Sequence, residues 1–329
     1  MKLNRRKFLA LGLGLGAGGW WLLKAPHSES VVARQSWALG SESKITVMGL
    51  PPASAERAIQ AAFAELEAIE NSMSLYRPES QLARLNRDRH LSQPDARLLT
   101  VLRRALAASE QTAGAFDITV QPLWAMYSAA KREDRSPTQA ELIAARQEVD
   151  WRGVEVTSDS VRLNAPVTAI TLNGIAQGFA ADCVIDVLRQ HGVKHALINA
   201  GEIGVLGRKP DGDAWTIGIQ HPREPQQFLA LAELEGRALA TSGDYATSFS
   251  ADFSTHHIFD PQTGASPLEL ASASLVAPTA MDADLLSTSA MVLGPERTLK
   301  LVASLPDVDA LLVLKDGRRL QTPGFPEVS

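Results

Sequence analysis

A single cysteine, Cys183, stands in the 329 residues, so the chain can form no internal disulfide and offers no cysteine-rich metal site. It falls inside an apolar helical pattern and reads as a packed core thiol. No basic stripe is present either, and the formal net charge is −5. A nucleic-acid partner, whose phosphates need clustered Lys and Arg, is therefore not expected. The glycine-rich G-x-G-x-x-G fingerprint of dinucleotide-binding folds is missing, as are internal repeats, low-complexity tracts and long linkers. What is there is ordinary for a soluble globular protein, with 45% hydrophobic and 21% charged residues. The length suits one large domain or two modest ones around a sizeable core.

The first thirty residues differ from the rest. Arg5-Arg6-Lys7 precedes an uncharged run from Phe8 to Leu23, a basic n-region followed by an h-region, and Arg-Arg-x-Phe-Leu is the twin-arginine form. The run is marginal as a membrane span, being shorter than about 18 residues. It is also too rich in glycine for a soluble core helix, at roughly 1 kcal/mol per glycine relative to alanine. Residues 1–30 are thus expected to be an export signal, and 31–329 the functional domain. No Ala-x-Ala cleavage site or lipobox cysteine follows, so cleavage and retention as an inner-membrane anchor both stay open. The expected location is the periplasm or the periplasmic face of the inner membrane.

Along 31–329 the spacing of apolar residues predicts interleaved helices and strands. Lys44–Met48 reads as a strand. Ser54 reads as the cap of a helix with Ile59, Phe63, Leu66, Ile69 and Met73 on one face. A second helix runs from Asp95 to about Thr112, a third opens at Ser136-Pro137, and a fourth covers Ala176 to His191 before Gly192. Val154–Val156 and Val161–Leu163 form a hairpin. Further strands are expected at Ala196–Asn199, Trp215–Gln220, Leu229–Leu234, His257–Phe259, Ser272–Ala277 and Ala310–Leu314. Two helices, about Asp284–Leu293 and Glu296–Ser304, complete the pattern. Several strands follow each other directly, so the expected class is α+β, a single catalytic domain with a mixed or largely antiparallel sheet, and not a doubly wound fold.

Four segments combine turn residues with carboxylates and hydroxyls. Tyr76 and Arg77, just past a helix end, suit either an ordinary helix exit or a planar anionic ligand. Gly114-Ala115-Phe116-Asp117 places a carboxylate after a glycine turn. Thr171 to Asp182 runs from strand into helix through Gly174 and Gly178, leaving backbone N–H groups free to approach a phosphate. Asp284 and Thr288 share one helix face at i and i+4 with Ser287 beside them, a hard oxygen site that suits Mg²⁺.

The order and wording of these segments resemble the ApbE family, the FAD:protein FMN transferases. The resemblance is carried by Met-Ser-x-Tyr…Leu-Asn at 73–86, Gly-Ala-Phe-Asp-Ile-Thr at 114–119 and Asn-Gly-Ile-Ala-x-Gly-Phe-Ala-x-Asp at 173–182. It continues with Ala-Leu-Ile-Asn-Ala-Gly at 196–201 and Ala-Thr-Ser-Gly-Asp-Tyr at 240–245. It closes with His-x-Ile-x-Asp-Pro-x-Thr-Gly to Gly264, led by His256 or His257, and Ala-Asp-Leu-Leu-Ser-Thr at 283–288. The resemblance implies an ApbE-like fold related to the T-fold, with FAD as substrate. FAD would lie against Leu39, Tyr76, Ala115, Phe116, Asp117, Thr171, Gln177 and Ile258. Magnesium would be held by the main chain of Gly174 and by Asp284 and Thr288, with Ser287 alongside. His257 would be the histidine nearest the pyrophosphate, and His257 or Asp284 would take the proton of the attacking hydroxyl.

The implied reaction moves FMN from FAD to a threonine hydroxyl of an acceptor protein, such as a subunit of a membrane redox complex, and releases AMP. Pyrophosphate cleavage of this kind needs a cation to neutralise charge as AMP leaves. Thr171, Gln177 and Ser287 depart from the commoner, more charged residues of the family, and Glu202 stands where a glycine is common. Two other functions share the same motifs. One is a metal-dependent FAD pyrophosphatase giving FMN and AMP; the other is a periplasmic FAD-binding protein without catalysis.

Overall fold

The computed structural model describes residues 30–328, so the export segment expected at 1–30 falls, but for Ser30, outside them. No helix among the described residues is long and apolar enough to cross a membrane.

Strands β1 (Val31–Ala38) and β2 (Ser41–Met48) open the chain as a hairpin. Its two turn residues, Leu39 and Gly40, both take positive φ, at 51° and 78°, the twist that a two-residue hairpin loop needs. There follow α1 (Pro52–Met73), α2 (Gln81–Asp88), β3 (His90–Ser92), α3 (Ala96–Gln111), α4 (Gln121–Arg132), α5 (Gln139–Gln147) and the hairpin β4 (Val154–Val156) and β5 (Ser160–Leu163). Then come α6 (Ala176–Gln190), β6 (His195–Asn199), β7 (Ile203–Leu206), β8 (Trp215–Gln220), β9 (Phe228–Leu234), β10 (Ala238–Gly243) and β11 (Leu270–Ala277). The chain ends with α7 (Ala280–Val302), β12 (Asp309–Leu314) and β13 (Arg319–Gln321).

One eight-stranded sheet, in the order β1-β2-β6-β7-β10-β11-β12-β13, forms the spine, and its pairs are antiparallel. Side chains alternate between its faces, as the two-residue period of a strand requires. Ile45, Val47, Ile198, Leu275 and Leu312 point to the main core, which they share with α1, α6 and α7. Leu239, Val276 and Leu311 point to the opposite face, where the β8–β9 hairpin covers them with Trp215, Ile217 and Ile219. Strand β11, covered on both sides, is buried along its whole length. The architecture is α+β in one domain, as the alternation of elements predicts.

Several boundaries differ from expectation. Helix α1 begins two residues before Ser54 because Pro52 occupies its first turn, and Ser54 instead accepts a hydrogen bond from Arg57. The helix expected at Ser136-Pro137 is capped by Thr138, whose hydroxyl and the Glu141 carboxylate close a reciprocal capping box. The last two helices form one element broken at Gly294, which has φ 73° and ψ 176° and is followed by Pro295. Asp284 therefore lies in the second turn of α7, not at its start.

No strand forms at His257–Phe259. That stretch packs as irregular chain against α4, with the Phe259 ring stacked on Tyr127 at 4.9 Å between centroids. Cys183 is half-buried against the main core and unpaired, and burial pushes its thiol up to about 12.

Candidate active site

The site begins where α6 meets α7. A Cβ on Gly178 would lie 2.2 Å from the Ala280 carbonyl oxygen and 2.8 Å from the Asp284 Cβ, so only glycine permits this approach. The closeness lets the Gly178 N–H donate to Asp284 Oδ2 at 3.0 Å. This N–H belongs to the first turn of α6, whose amides have no partner within the helix and carry its positive dipole end. One turn on, Asp182 accepts from the N–H groups of Ala280 and Met281 at 2.8 and 2.9 Å and caps α7. The last residue of the 173–182 motif thus sets the start of the helix that carries 284–288. Burial raises the Asp182 carboxyl to about 6.

Asp284 is only 3% exposed, and burial raises its pKa, an effect the Gly178 N–H opposes and the Asp182 carboxylate adds to. Glu202, after β6, lines the same cavity, and its carboxyl is pushed well up by burial and then by the nearby Asp284. Asp117 completes the set. Its Oδ1 accepts from the Thr119 amide and hydroxyl and its Oδ2 from the Trp151 amide, yet burial still raises it to about 6. These three carboxylates line a cavity of about 220 Å³ whose described lining contains no Lys or Arg.

Thr288 lies directly beside Gly174 in the lining of this cavity. A Cβ on Gly174 would come within 2.9 Å of Thr288 Oγ1, so the glycine leaves room beside that oxygen. Behind Thr288, Ser287 is fully buried. Its hydroxyl donates to the Asp284 carbonyl at 2.9 Å and contacts Ser242 Oγ at 2.7 Å.

The opposite wall is the loop after β10. His257 lines the cavity, and its Nδ1 lies 3.2 Å from the Thr247 carbonyl oxygen. A carbonyl only accepts, so Nδ1 carries the proton and Nε2 keeps the lone pair. Burial lowers the pKa of His257, which favours this neutral form. The neighbouring His256 is buried within the loop against Ser266 and Pro267, and burial lowers it to about 4. Of the two histidines, it is therefore His257 that reaches the site.

Of the expected FAD contacts, Ala115, Phe116, Asp117, Thr171, Gln177 and Ile258 line the cavity. The amide of Asn86 pairs with both backbone polar groups of Ile170 at 2.9 Å, and the Thr171 N–H donates to the Ile118 carbonyl at 2.7 Å. Three sequence motifs are thereby tied together by the backbone. Leu39 does not line the cavity; its carbonyl accepts from Gln177 Nε2 at 3.4 Å, which ties the hairpin turn to α6. Tyr76, 69% exposed, lines a larger adjoining cleft of about 720 Å³ with Leu75, Pro122 and Met126. The two cavities share Gln121, Trp124 and Asn173 as lining residues and so lie side by side.

Arg77 does not serve as an anion contact, because its guanidinium is paired with Glu67 and Glu70 on α1. Glu202 and Ser242 line the site but carried no role in the sequence reading. Each adjoins or lies within a motif, at 196–201 and 240–245, and that proximity was the available signal.

Comparison with known proteins gives one consistent answer. A profile of the ApbE family matches residues 39–312. An FAD:protein FMN transferase of Vibrio cholerae (strain ATCC 39541) is 33% identical over 261 residues, covering 76% of this chain and 77% of that protein. The FAD:protein FMN transferase of Escherichia coli K12 is 26% identical, covering 90% and 88%. Among solved structures, the flavin transferase ApbE from Vibrio cholerae superposes with a TM-score of 0.80 at 29% identity, over 91% of this chain and all of that one. The ApbE protein of Thermotoga maritima gives 0.81 at 27% identity, over 89% and 97%.

Proposed function

The chain belongs to the ApbE family, and on that premise we propose that it transfers FMN from FAD to a threonine hydroxyl of an acceptor protein with Mg²⁺ bound, releasing AMP. One observation carries the cation requirement. The described lining of the cavity presents Asp117, Glu202 and Asp284 and no Lys or Arg. The cavity offers a pyrophosphate no fixed positive charge, and its buried carboxyls ionise readily only when a cation compensates them.

The residues present fit such an ion. Asp284 Oδ2 is occupied by the Gly178 N–H, while the second carboxylate oxygen, Thr288 Oγ1 and the backbone at Gly174 supply hard oxygen donors. Among the described residues, no three His, Cys, Asp or Glu side chains form a metal cage of their own. That suits Mg²⁺, which takes one or two carboxylates and fills its shell with water and substrate phosphate. When bound, it neutralises charge on the pyrophosphate oxygens.

The chain's own residues then divide the work. The Ala115–Asp117 turn, Thr171, Gln177 and Ile258 hold the dinucleotide in the cavity. The two adjoining cavities, about 220 and 720 Å³, offer room for the two halves of such a ligand. The acceptor oxygen attacks the phosphorus of the FMN half. The bond from that phosphorus to the bridging oxygen breaks, and AMP leaves with the bridging oxygen. His257 Nε2, unprotonated, accepts the hydroxyl proton.

The twin-arginine-type start supports placing the reaction in the periplasm or on the periplasmic face of the inner membrane, with a membrane redox subunit or periplasmic flavoprotein as acceptor. Cell fractionation of the full chain, with and without the Arg5-Arg6 pair replaced by lysines, checks that placement.

The activity is tested by incubating the protein with FAD and Mg²⁺, with and without a threonine-bearing acceptor domain, and measuring nucleotides by chromatography. AMP release that needs both Mg²⁺ and acceptor is the expected result. Equal FMN and AMP without acceptor would instead assign hydrolysis, and no AMP under any condition would reduce the protein to an FAD binder.

A further inference from the structure

The structure assigns Ser242, at the end of β10, as the positioning residue that aims the oxygen of Thr288 into the cavity. The inference rests on the Mg²⁺ reading above and follows from counting protons. Three hydroxyls make three contacts: Ser287 Oγ to the Asp284 carbonyl at 2.9 Å, Ser242 Oγ to Ser287 Oγ at 2.7 Å, and Ser242 Oγ to Thr288 Oγ1 at 3.2 Å.

A hydroxyl has one proton to give. The Asp284 carbonyl can only accept, so Ser287 spends its proton there. The Ser242–Ser287 contact must then use the proton of Ser242. That leaves Ser242 as acceptor toward Thr288, whose proton fills the third contact. Only this direction serves all three. In the reverse direction, with Ser242 donating to Thr288, Ser242 and Ser287 meet at 2.7 Å with no proton between them unless Ser287 abandons the Asp284 carbonyl.

The consequence is directional. With its proton turned back toward β10, the Thr288 oxygen presents lone pairs toward the space left by Gly174. A cation held there would make the Thr288 proton more acidic and strengthen its bond to Ser242. A donor from Ser242 would compete with the cation for the same lone pairs. Partners of a ligating group that fix its orientation typically change metal affinity by about 10- to 100-fold when removed.

The test is Mn²⁺ binding, followed by electron paramagnetic resonance of the free ion, in the wild type, Ser242→Ala, Thr288→Ala and the double variant, with melting curves to confirm folding. The expected result is an affinity loss of about tenfold or more in Ser242→Ala, recovery in Ser242→Thr, and a double variant no weaker than Thr288→Ala alone. Losses that add in the double variant would make Ser242 an independent ligand and overturn the positioning role. Unchanged affinity in a folded Ser242→Ala would overturn it too. A wild type that binds no Mn²⁺ would instead refute the metal reading on which the inference rests.

Discussion

Replacing Asp284 by asparagine should make the metal-free protein more stable while abolishing its response to Mg²⁺. In the fold the Asp284 carboxyl is raised from 3.8 to about 7, first by burial and also by Asp182. Glu202 faces the same cavity and is raised as well. A carboxyl shifted upward binds more protons folded than unfolded, so stability falls as pH rises from about 4 to 7, and the full penalty holds above 7. Removing a buried carboxylate that has no cationic partner is expected to gain about 1–3 kcal/mol. Asparagine keeps an oxygen for the Gly178 N–H, so that hydrogen bond survives.

The assay is thermal unfolding at pH 8 and pH 5, with chelator or with saturating Mg²⁺ and FAD. With chelator at pH 8 the variant should melt higher, by roughly 2–4 °C per kcal/mol, and the advantage should shrink at pH 5. With Mg²⁺ and FAD present the variant's advantage should vanish or reverse, since wild type gains about 2.7 kcal/mol from Mg²⁺ at a hundredfold excess over Kd and the variant gains little from it. A variant less stable than wild type in chelator at pH 8 would refute the buried-charge argument. An undiminished Mg²⁺-dependent rise would refute the assignment of Asp284.

Three further outcomes follow from the same geometry. Gly178→Ala should cost about 1–3 kcal/mol in stability by forcing α6 from α7, and isothermal titration should show weakened Mg²⁺ binding. His257→Gln should keep FAD affinity and reduce turnover by about 10²- to 10⁴-fold. Because burial lowers the His257 pKa, the wild-type rate at Mg²⁺ concentrations that keep Asp284 ionised should stay level as pH falls through 6.5 and drop only below it. Asp182→Ala, which strips the Ala280 and Met281 amides of their acceptor while the Thr279 cap remains, should cost about 0.5–2 kcal/mol in denaturant unfolding without removing any group that lines the cavity.

The sequence carried the site better than it carried the fold's edges. Motifs 73–86, 114–119, 173–182 and 283–288 come together partly through local chemistry: glycine at the Gly178 and Gly174 approaches to α7, and side-chain caps at the starts of α2 and α7. Asp284, Thr288 and Gly174 were legible for that reason. Glu202 was not, since nothing in a lone glutamate after Ala-Gly says that the turn after β6 comes beside Asp284 in the cavity. Ser242 reads as one more small polar strand residue until the register of β10 sets it beside Ser287. The strand expected at His257–Phe259 failed because its apolar alternation serves packing on Tyr127 of α4, not a ladder. Between a helix exit and an anion contact, Arg77 stayed open in the sequence because its partners on α1, Glu67 and Glu70, become neighbours only when the chain turns back after the helix.

The most direct test is the intact mass of an acceptor domain after incubation with the signal-less protein, FAD and Mg²⁺. The proposal predicts an increase equal to FMN less one water, located on a threonine by fragmentation and absent when chelator replaces Mg²⁺ or Asp284→Ala replaces the wild type. An acceptor of unchanged mass while FAD is consumed to FMN and AMP would contradict it.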